Sequence, residues 1–346
     1  MSGSLLIPGA RKGGLSMRIL KQGDPGPENS SRQSAPSSRF HGSPLPDEFS
    51  WSSGDNEESL QLIAGRFGDR VDAEIIGHSV CGAPLTALSV GTGPRRLLVT
   101  AAHHANEWIT APALMVFIED LLFAGDSGGS VGGVPARDIL SRSRITFVPL
   151  VNPDGVDLVN GTLPSAGVAQ ASAIAENWPD IPFPSGWKAN IRGVDLNLQY
   201  PALWEIAREN KSALGVTGPA PQNYVGPKPL SEPESRALFD LTLREDPDLV
   251  LAFHTQGETI YWRFFDRDIP GSRELGEALS RESGYSLEDT PYVSGFAGYK
   301  DWFIDAFRRP GYTVEFGRGT NPLPSEQFGR IRETCAKIIA AAALGI

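Results

Sequence analysis

The chain contains the stretch Leu98-Val-Thr-Ala-Ala-His-His-Ala-Asn-Glu-Trp-Ile-Thr110, in which an apolar run ends at two histidines. A glutamate, Glu107, follows His104 by three residues. The pattern predicts a strand, a short loop and a helix, with His104 and Glu107 at the exit of the strand. A neutral imidazole and a carboxylate are both ligands that Zn²⁺ accepts in tetrahedral sites. On its own His-x-x-Glu is a weak motif, because a polar turn that caps a helix has the same composition.

Composition limits the classes of function that remain open. The chain has 346 residues, of which 40% are hydrophobic, which is enough for one large domain or two smaller ones. Its net charge of −10 argues against a nucleic-acid or anionic-membrane partner. No apolar run approaches the roughly 18–20 residues of a membrane span, and the first residues lack the apolar core of a secretory signal. We therefore expect no membrane span and a cytoplasmic location.

Cysteine usage gives little information about the redox environment. The two cysteines, Cys81 and Cys335, are far apart and form no CxxC motif. Two buried, reduced thiols are the expected state, and a single disulfide is the alternative.

The chain divides into two regions of different composition. Residues 1–50 are rich in Ser, Gly, Pro and Arg and lack periodicity, which predicts a disordered or loosely packed segment. Within this segment, residues 17–28 resemble the opening of a peptidoglycan-binding repeat module, of which they would be a remnant. The alternative is a coincidental Gly/Pro-rich turn. Residues 51–346 have the pattern of one folded domain.

Within residues 51–346, predicted strands alternate with predicted helices. The strands are expected at 71–79, 85–90, 97–102, 145–151, 249–253 and 311–316, and the helices at 57–67, 111–123, 231–244, 272–283, 299–307 and 324–344. Ser231 and Glu234 form a predicted capping box, residues 152–155 a predicted turn, and residues 160–190 a long surface loop of a kind that is often functional. The alternation predicts an α/β fold with a largely parallel central sheet.

Polar residues recur where these predicted strands end. His254 follows one apolar strand, Asn152 follows another, and Glu315 lies near the end of a third. Ligands of open α/β sheets bind outside the carboxyl ends of the strands. Taken alone, His254 would more often be a core histidine. Together with His104 and Glu107 it completes a set of three protein ligands, the number with which a catalytic zinc keeps a fourth position open. His103 is the alternative to His104.

Other polar residues supply candidates for the remaining chemistry. Glu315 lies in an apolar strand, and glutamate is seldom buried without a partner. We therefore interpret it as a site-facing general base, with a salt bridge to Arg318 as the alternative. Arg192 is a candidate oxyanion donor. Asp195 is a candidate acceptor for the free N–H of a ligand histidine.

Taken in order, these motifs resemble the zinc carboxypeptidase family of metallopeptidases. The resemblance covers residues 55–345 and rests on His104-x-x-Glu107-Trp-Ile-Thr, Asn152-Pro-Asp-Gly, Arg192-Gly-Val-Asp-x-Asn197, His254 and Glu315. It implies a single α/β domain with a central mixed, mostly parallel twisted sheet flanked by helices. It also implies one Zn²⁺ ion bound by His104, Glu107 and His254. The further roles that it implies are proton transfer by Glu315, polarisation of the scissile carbonyl by Arg192, and substrate contacts by Asn197 and Tyr292.

One departure from the family pattern bears on the substrate. Leu198 occupies the position at which the family's carboxypeptidases have an arginine that binds the substrate's terminal carboxylate. Loss of this charge-assisted contact argues against ordinary exopeptidase action. Residues 194–201 and 311–324 resemble bacterial γ-D-glutamyl-L-diamino acid (meso-diaminopimelate) endopeptidases, which cut peptidoglycan stem peptides. The resemblance therefore implies a peptide or muropeptide substrate, whose carboxylates Lys188, Lys300 and Arg318 are candidates to contact.

Two alternatives remain at this point. One is a metallocarboxypeptidase that uses Arg192 and Asn197 alone as anchors and releases C-terminal amino acids. The other is a non-catalytic cell-wall or protein-binding module on the same scaffold. The intact residues His104, Glu107, His254 and Glu315 argue against the second.

Overall fold

The computed structural model describes residues 49–345. The prediction for residues 17–28 and nearly all of the predicted N-terminal segment 1–50 lie outside the described residues. Within the described range, no helix is long and apolar enough to cross a membrane. The ten strands of this range are β1 (Val71–His78), β2 (Pro84–Val90), β3 (Arg95–Ala101), β4 (Ser130–Val131), β5 (Val134–Pro135), β6 (Ser143–Val148), β7 (Leu249–Thr255), β8 (Thr259–Tyr261), β9 (Ser286–Glu288) and β10 (Gly311–Phe316).

Ten α-helices connect or flank these strands in the described range. They are α1 (Ser53–Phe67), α2 (Thr110–Ser127), α3 (Ala136–Arg142), α4 (Pro153–Val159), α5 (Ser165–Ala175), α6 (Trp204–Ala213), α7 (Pro233–Glu245), α8 (Ser272–Ser283), α9 (Tyr299–Phe307) and α10 (Phe328–Leu344).

Eight of the strands form one mixed sheet in the order β1-β2-β6-β3-β7-β10-β8-β9. The four central strands, β6, β3, β7 and β10, are all parallel to their neighbours within that group. Antiparallel pairs occur only toward the edges, at β1–β2, β2–β6 and β10–β8. The predicted α/β class with a mixed, mostly parallel central sheet is confirmed.

The side chains of the central strands alternate between two hydrophobic cores. In β7, Leu249, Leu251 and Phe253 pack into the core beneath α1, α2, α8 and α10, whereas Val250 and Ala252 pack into the core beneath α6, α7 and α9. This period of two is the geometry of a strand that is buried on both faces. The alternation also determines which face of the sheet each polar residue near a strand end occupies.

Several local predictions differ from the structure. Residues 160–190 are not one irregular loop, because they contain α5, and Leu163, Ala171 and Trp187 pack with Ala189 and Ile191 in a small buried core. The high content of Pro, Ala and Ser in this segment favoured the prediction of a loop, although its few apolar residues pack together.

The predicted capping box of α7 is absent, since Glu232 occupies the N-cap and the Ser231 hydroxyl binds Gln199 Oε1 instead. The predicted 152–155 turn is the start of α4, whose N-cap is Asn152.

The two cysteines differ in burial from the prediction, because Cys81 is exposed. Cys81 and Cys335 are both free thiols, so the alternative of a disulfide is excluded in the structure.

Candidate metal centre

The exit of β3 places two polar side chains at the carboxyl edge of the sheet. Ala102 adopts a left-handed conformation with φ of 50°, a strained state for a residue with a Cβ. This conformation turns the chain out of the strand. The Thr110 hydroxyl accepts the Ala102 N–H at 3.1 Å and donates to the Glu107 carbonyl at 2.8 Å. The Thr110 hydroxyl therefore bridges the two ends of the segment that carries His104 and Glu107.

His254 reaches the same point from the neighbouring strand β7. Its Nδ1 lies 2.9 Å from Glu107 Oε2 and 3.3 Å from His104 Nδ1, and His104 Nδ1 lies 2.9 Å from Glu107 Oε1. The candidate ligand atoms of these three residues all lie within 4.8 Å of one another. Two imidazole nitrogens and one carboxylate oxygen converging on one point form a donor set that zinc accepts.

A second carboxylate fixes the orientation of His104. Asp195 Oδ1 lies 3.0 Å from His104 Nε2, and the Asp195 carboxylate also accepts the N–H groups of Asn197 and Asn223. If Nε2 carries the proton that this contact requires, the lone pair of His104 is on Nδ1 and faces the cluster. Asp195 therefore lies where the sequence predicted an outer acceptor for a ligand histidine.

His103, the alternative to His104, occupies a different environment. It is fully buried, stacks on His254 with ring centroids 5.5 Å apart, and its Nε2 lies 3.4 Å from the Tyr200 hydroxyl. Burial lowers the pKa of His103 well below its usual value. Its ring supports the cluster from behind and does not belong to it.

The electrostatics of the cluster favour a cation. Burial opposes the protonated form of His104, yet the carboxylates of Glu107 and Asp195 raise its pKa to about 10. Burial disfavours an ionised Glu107, yet His104 and Lys188 hold the pKa of Glu107 well below its usual range. The site thus attracts positive charge to the position between its nitrogen and oxygen donors. These residues therefore fit a divalent metal.

Glu315 lies beside the cluster on the adjacent strand β10. It is the register partner of His254 in the parallel pair β10–β7, so both side chains lie on the same face of the sheet. Its partly buried carboxylate has no hydrogen-bond or ion-pair partner among residues 49–345, and Arg318 pairs with Glu258 instead at 2.7 Å. Burial and the charge of Glu107 raise the pKa of Glu315 to about 8. The structure therefore contradicts the alternative of an inward salt bridge to Arg318.

Of the two cations in the segment 188–192, Lys188 contacts the cluster and Arg192 does not. Lys188 Nζ lies 3.0 Å from Glu107 Oε1, and its backbone is bound on both sides, by the Ala105 N–H at 3.0 Å and by the Pro221 carbonyl at 2.8 Å. Because Glu107 is buried, this contact is little screened by solvent. Sequence analysis had placed Lys188 only among candidate contacts to substrate carboxylates.

Arg192 points away from the cavity that the cluster lines. A tight turn explains this direction: the Asn190 side-chain oxygen accepts the N–H groups of Arg192 and Val194, and Gly193 has φ of 72°. The half-exposed guanidinium of Arg192 lies 3.5 Å from Glu232. It does not line the cavity, so the predicted oxyanion donor is not brought to the metal centre.

Asn152 joins the loop after β3 to the segment that carries Lys188. Its Nδ2 donates to the His103 carbonyl at 3.2 Å and to the Ala189 carbonyl at 3.0 Å. The first turn of α4 lies so close that a Cβ on Gly155 would be 2.6 Å from Asn152 Oδ1 and 2.8 Å from Ala105 Cβ. Glycine is therefore required at position 155. The Asn-Pro-Asp-Gly motif supports the site, and none of its four residues lines the cavity beside the cluster.

The cavity beside the cluster has a volume of about 240 Å³. Asn197 lines it, and its Oδ1 accepts the Tyr299 N–H at 3.0 Å, while its Nδ2 donates to no group within residues 49–345. Tyr292 is 62% exposed, while its neighbours Pro291 and Ser294 line the cavity, so it lies at the rim. Lys211 and Tyr261 are among the lining residues that the sequence did not predict.

A comparison with family models agrees with this geometry. The model described as zinc carboxypeptidase matches residues 56–337. The chain belongs to the zinc carboxypeptidase family. Zinc is the metal of this family, and the cluster of His104, Glu107 and His254 is the group of residues in the described range able to hold it.

Two relatives of this chain have names that state the kind of peptide on which they act. The chain is 43% identical to γ-D-glutamyl-L-diamino acid endopeptidase 1 of Lysinibacillus sphaericus over 266 residues, which is 77% of this chain and 65% of that protein. It thus spans less than two thirds of that relative's length. It is 34% identical to murein peptide amidase A of Escherichia coli K12 over 237 residues, covering 64% of this chain and 80% of the relative.

Solved structures show the same fold at lower identity. Bovine thrombin-activatable fibrinolysis inhibitor superposes with a TM-score of 0.65 at 19% identity, covering 86% of this chain and 97% of that one. At this level of identity the similarity concerns the fold alone.

Proposed function

We propose that this protein hydrolyses the amide bond between the γ-carboxyl group of D-glutamate and a diamino acid in peptidoglycan stem peptides. The observation that carries the proposal is the 43% identity to a relative named for that bond. The geometry supports hydrolysis independently, because a buried two-histidine, one-glutamate cluster lies beside the unpartnered carboxylate of Glu315. Leu198 in place of an arginine supports a substrate other than an ordinary C-terminal peptide.

Each polar residue of the site then has one task. When bound, zinc would polarise the scissile carbonyl and make water a stronger nucleophile. His104, Glu107 and His254 hold the ion, and Asp195 keeps the His104 lone pair on Nδ1. The Glu315 carboxylate accepts a proton from the attacking water and delivers it to the leaving amine nitrogen. The Lys188 ammonium replaces Arg192 as the cation that stabilises negative charge on the carbonyl oxygen.

Product analysis on defined peptides tests the proposed function. The zinc-loaded protein is incubated with a stem tripeptide and a stem tetrapeptide, and in parallel with an ordinary α-linked peptide that has either a free or a blocked C-terminus. We expect mass spectrometry to show cleavage between D-glutamate and the diamino acid, at a rate at least about 100-fold above that for the ordinary peptides. Preference for the ordinary peptide with a free C-terminus would instead identify a carboxypeptidase.

Replacing each of the two candidate cations by methionine tests which one takes part in hydrolysis. Lys188→Met removes the ammonium beside Glu107 and is expected to lower kcat by about 100-fold or more, the usual cost of losing an oxyanion donor. Arg192→Met is expected to change kcat by less than about 3-fold, since its guanidinium faces Glu232. Both variants are assayed at saturating zinc, because loss of a partner of Glu107 also weakens metal affinity. A larger loss in the Arg192 variant would restore the role that the family resemblance implies for this arginine.

A further inference from the structure

Three lysines line the substrate cavity, and two of them have committed ammonium groups. Lys188 Nζ lies 3.0 Å from Glu107 Oε1. Lys300 Nζ lies 2.5 Å from Asp301 Oδ1 and also donates to two neutral oxygen atoms, at 2.8 and 3.1 Å. Lys300 thus has three protein partners for its three N–H donors, and the proposed function assigns the remaining donors of Lys188 to the carbonyl oxygen of the substrate. The third lysine, Lys211, is different.

Lys211 is buried without an ionic partner. It follows Trp204 by seven residues and Ala207 by four, so it lies on the buried face of α6, and it is 6% exposed. Within residues 49–345, its ammonium makes no hydrogen bond and no ion pair. Burial lowers the pKa of Lys211, an effect that Asp195 opposes and Lys188 reinforces. Because Lys211 lines the cavity and lysine is seldom buried without a partner, its ammonium is available to an anion that enters the cavity.

A neutral donor lies in the same cavity. Asn197 lines it with Lys211, and because Asn197 Oδ1 accepts the Tyr299 N–H, the Nδ2 group remains available. An ammonium and an amide N–H together suit the two oxygens of a carboxylate. Leu198, the next residue, supplies no charge at this point.

We propose that Lys211 binds a carboxylate of the substrate adjacent to the scissile amide. The identity of the peptide rests on the proposed function, in which free carboxylates occur on both sides of the bond, on the glutamyl residue and on the diamino acid. A contact between Lys211 and this carboxylate would take the place of the arginine that is absent at position 198. Lys211 is thereby a specificity-determining residue, and it takes no part in proton transfer.

The test combines variants of Lys211 with substrates that lack one carboxylate each. The parent is L-Ala-γ-D-Glu-meso-diaminopimelate. One analogue carries a carboxamide in place of the glutamyl α-carboxylate, and the other carries a carboxamide in place of the diaminopimelate α-carboxylate next to the scissile nitrogen. We expect Lys211→Met to raise KM for the parent by about 10- to 100-fold, with a smaller effect on kcat, as for loss of a hydrogen bond to a charged group. Lys211→Arg should restore most of the affinity.

The analogues show which carboxylate is bound. For the analogue that lacks it, Lys211→Met should change KM by less than about 3-fold, because the partner is already absent. Lys228→Met, which removes an exposed lysine outside the cavity, should behave as the unaltered protein on all three substrates. An unchanged KM for the parent, or an equal rise on the parent and both analogues, would overturn the inference.

Two readouts separate carboxylate binding by Lys211 from a purely structural role and from failure of the proposed function. Methionine matches the length of lysine and removes a buried charge, so the melting temperature of Lys211→Met should stay the same or rise, whereas a structural role predicts a fall. If the protein prefers the ordinary peptide with a free C-terminus, the proposed function fails. Lys211 is then tested on that peptide against its C-terminal amide: a KM penalty confined to the free acid supports the inference, and an equal penalty on both overturns it.

Discussion

Replacement of His254 by alanine is expected to leave the protein without bound zinc and to lower the rate of hydrolysis by at least about 1,000-fold. His254 supplies one of the two nitrogens of the cluster, with its Nδ1 2.9 Å from Glu107 Oε2. A site with only His104 and Glu107 left has too few ligands for a catalytic zinc. The loss of several kcal/mol of charge stabilisation in the transition state corresponds to roughly three orders of magnitude or more in rate.

Zinc stoichiometry and activity must be measured on the same preparation. The matched control is His78→Ala, which removes an exposed histidine at the end of β1, outside the cluster. This control should keep about one zinc per chain and full activity. Far-ultraviolet circular dichroism of the His254 variant should match that of the unaltered protein, which checks that the fold is intact. A His254 variant that retains stoichiometric zinc would refute the assignment of this histidine as a ligand, and would direct attention to His103.

The ligand set could be predicted because strand geometry connects it. Apolar runs predicted β3, β7 and β10 as strands, and the carboxyl ends of parallel strands lie at one edge of the sheet. Period-two alternation places His254 and Glu315 on the same face, which the register of β7 and β10 confirms. Short-range sequence rules therefore suffice when the residues of a site are fixed by regular strands.

The cation of the site could not be assigned in the same way. Arg192 and Lys188 are four residues apart in a segment without secondary structure, where sequence periodicity gives no direction for a side chain. The turn of Asn190 and Gly193 sends Arg192 outward, and the hydrogen bonds of Ala105 and Pro221 hold Lys188 inward. These are contacts between residues distant in sequence, and the resemblance to a family motif does not encode them.

Lys211 was missed for a related reason. The helix α6 was not predicted, because its polar residues Glu205, Arg208, Glu209, Asn210 and Ser212 dominate the pattern around Trp204 and Ala207. Without the helix, nothing distinguishes Lys211 from a solvated surface charge. The short strands β8 and β9 were also missed, and with them Tyr261 of the cavity wall. Segments of three residues are too short for periodicity to identify.

Replacement of Glu315 by glutamine is expected to lower kcat by about 100- to 10,000-fold with zinc content unchanged. Glutamine keeps the size of the side chain and cannot accept the proton of the attacking water, and general acid–base groups contribute about this much to a rate. The substrate KM should change little, because no substrate-binding contact is proposed for Glu315. Glu326→Gln, which neutralises an exposed glutamate that does not line the cavity, is the matched control and should retain full activity. A Glu315 variant with more than about a tenth of the original kcat would remove this residue from the mechanism.

Thermal stability gives an independent measure of the same carboxylate. In the zinc-free protein, burial and the charge of Glu107 raise the pKa of Glu315 to about 8 from an ordinary value near 4.5. The folded state therefore binds the proton more tightly than the unfolded state, and ionisation destabilises the fold progressively as the pH rises through this range. Glutamine has no charge to bury, so the melting temperature of Glu315→Gln relative to the unaltered protein should increase from pH 5 to pH 8. A bound dication opposes this shift in pKa, so zinc should reduce the difference. A difference independent of pH in the zinc-free proteins would mean that the unpartnered carboxylate is solvated, which would contradict its position in the cavity.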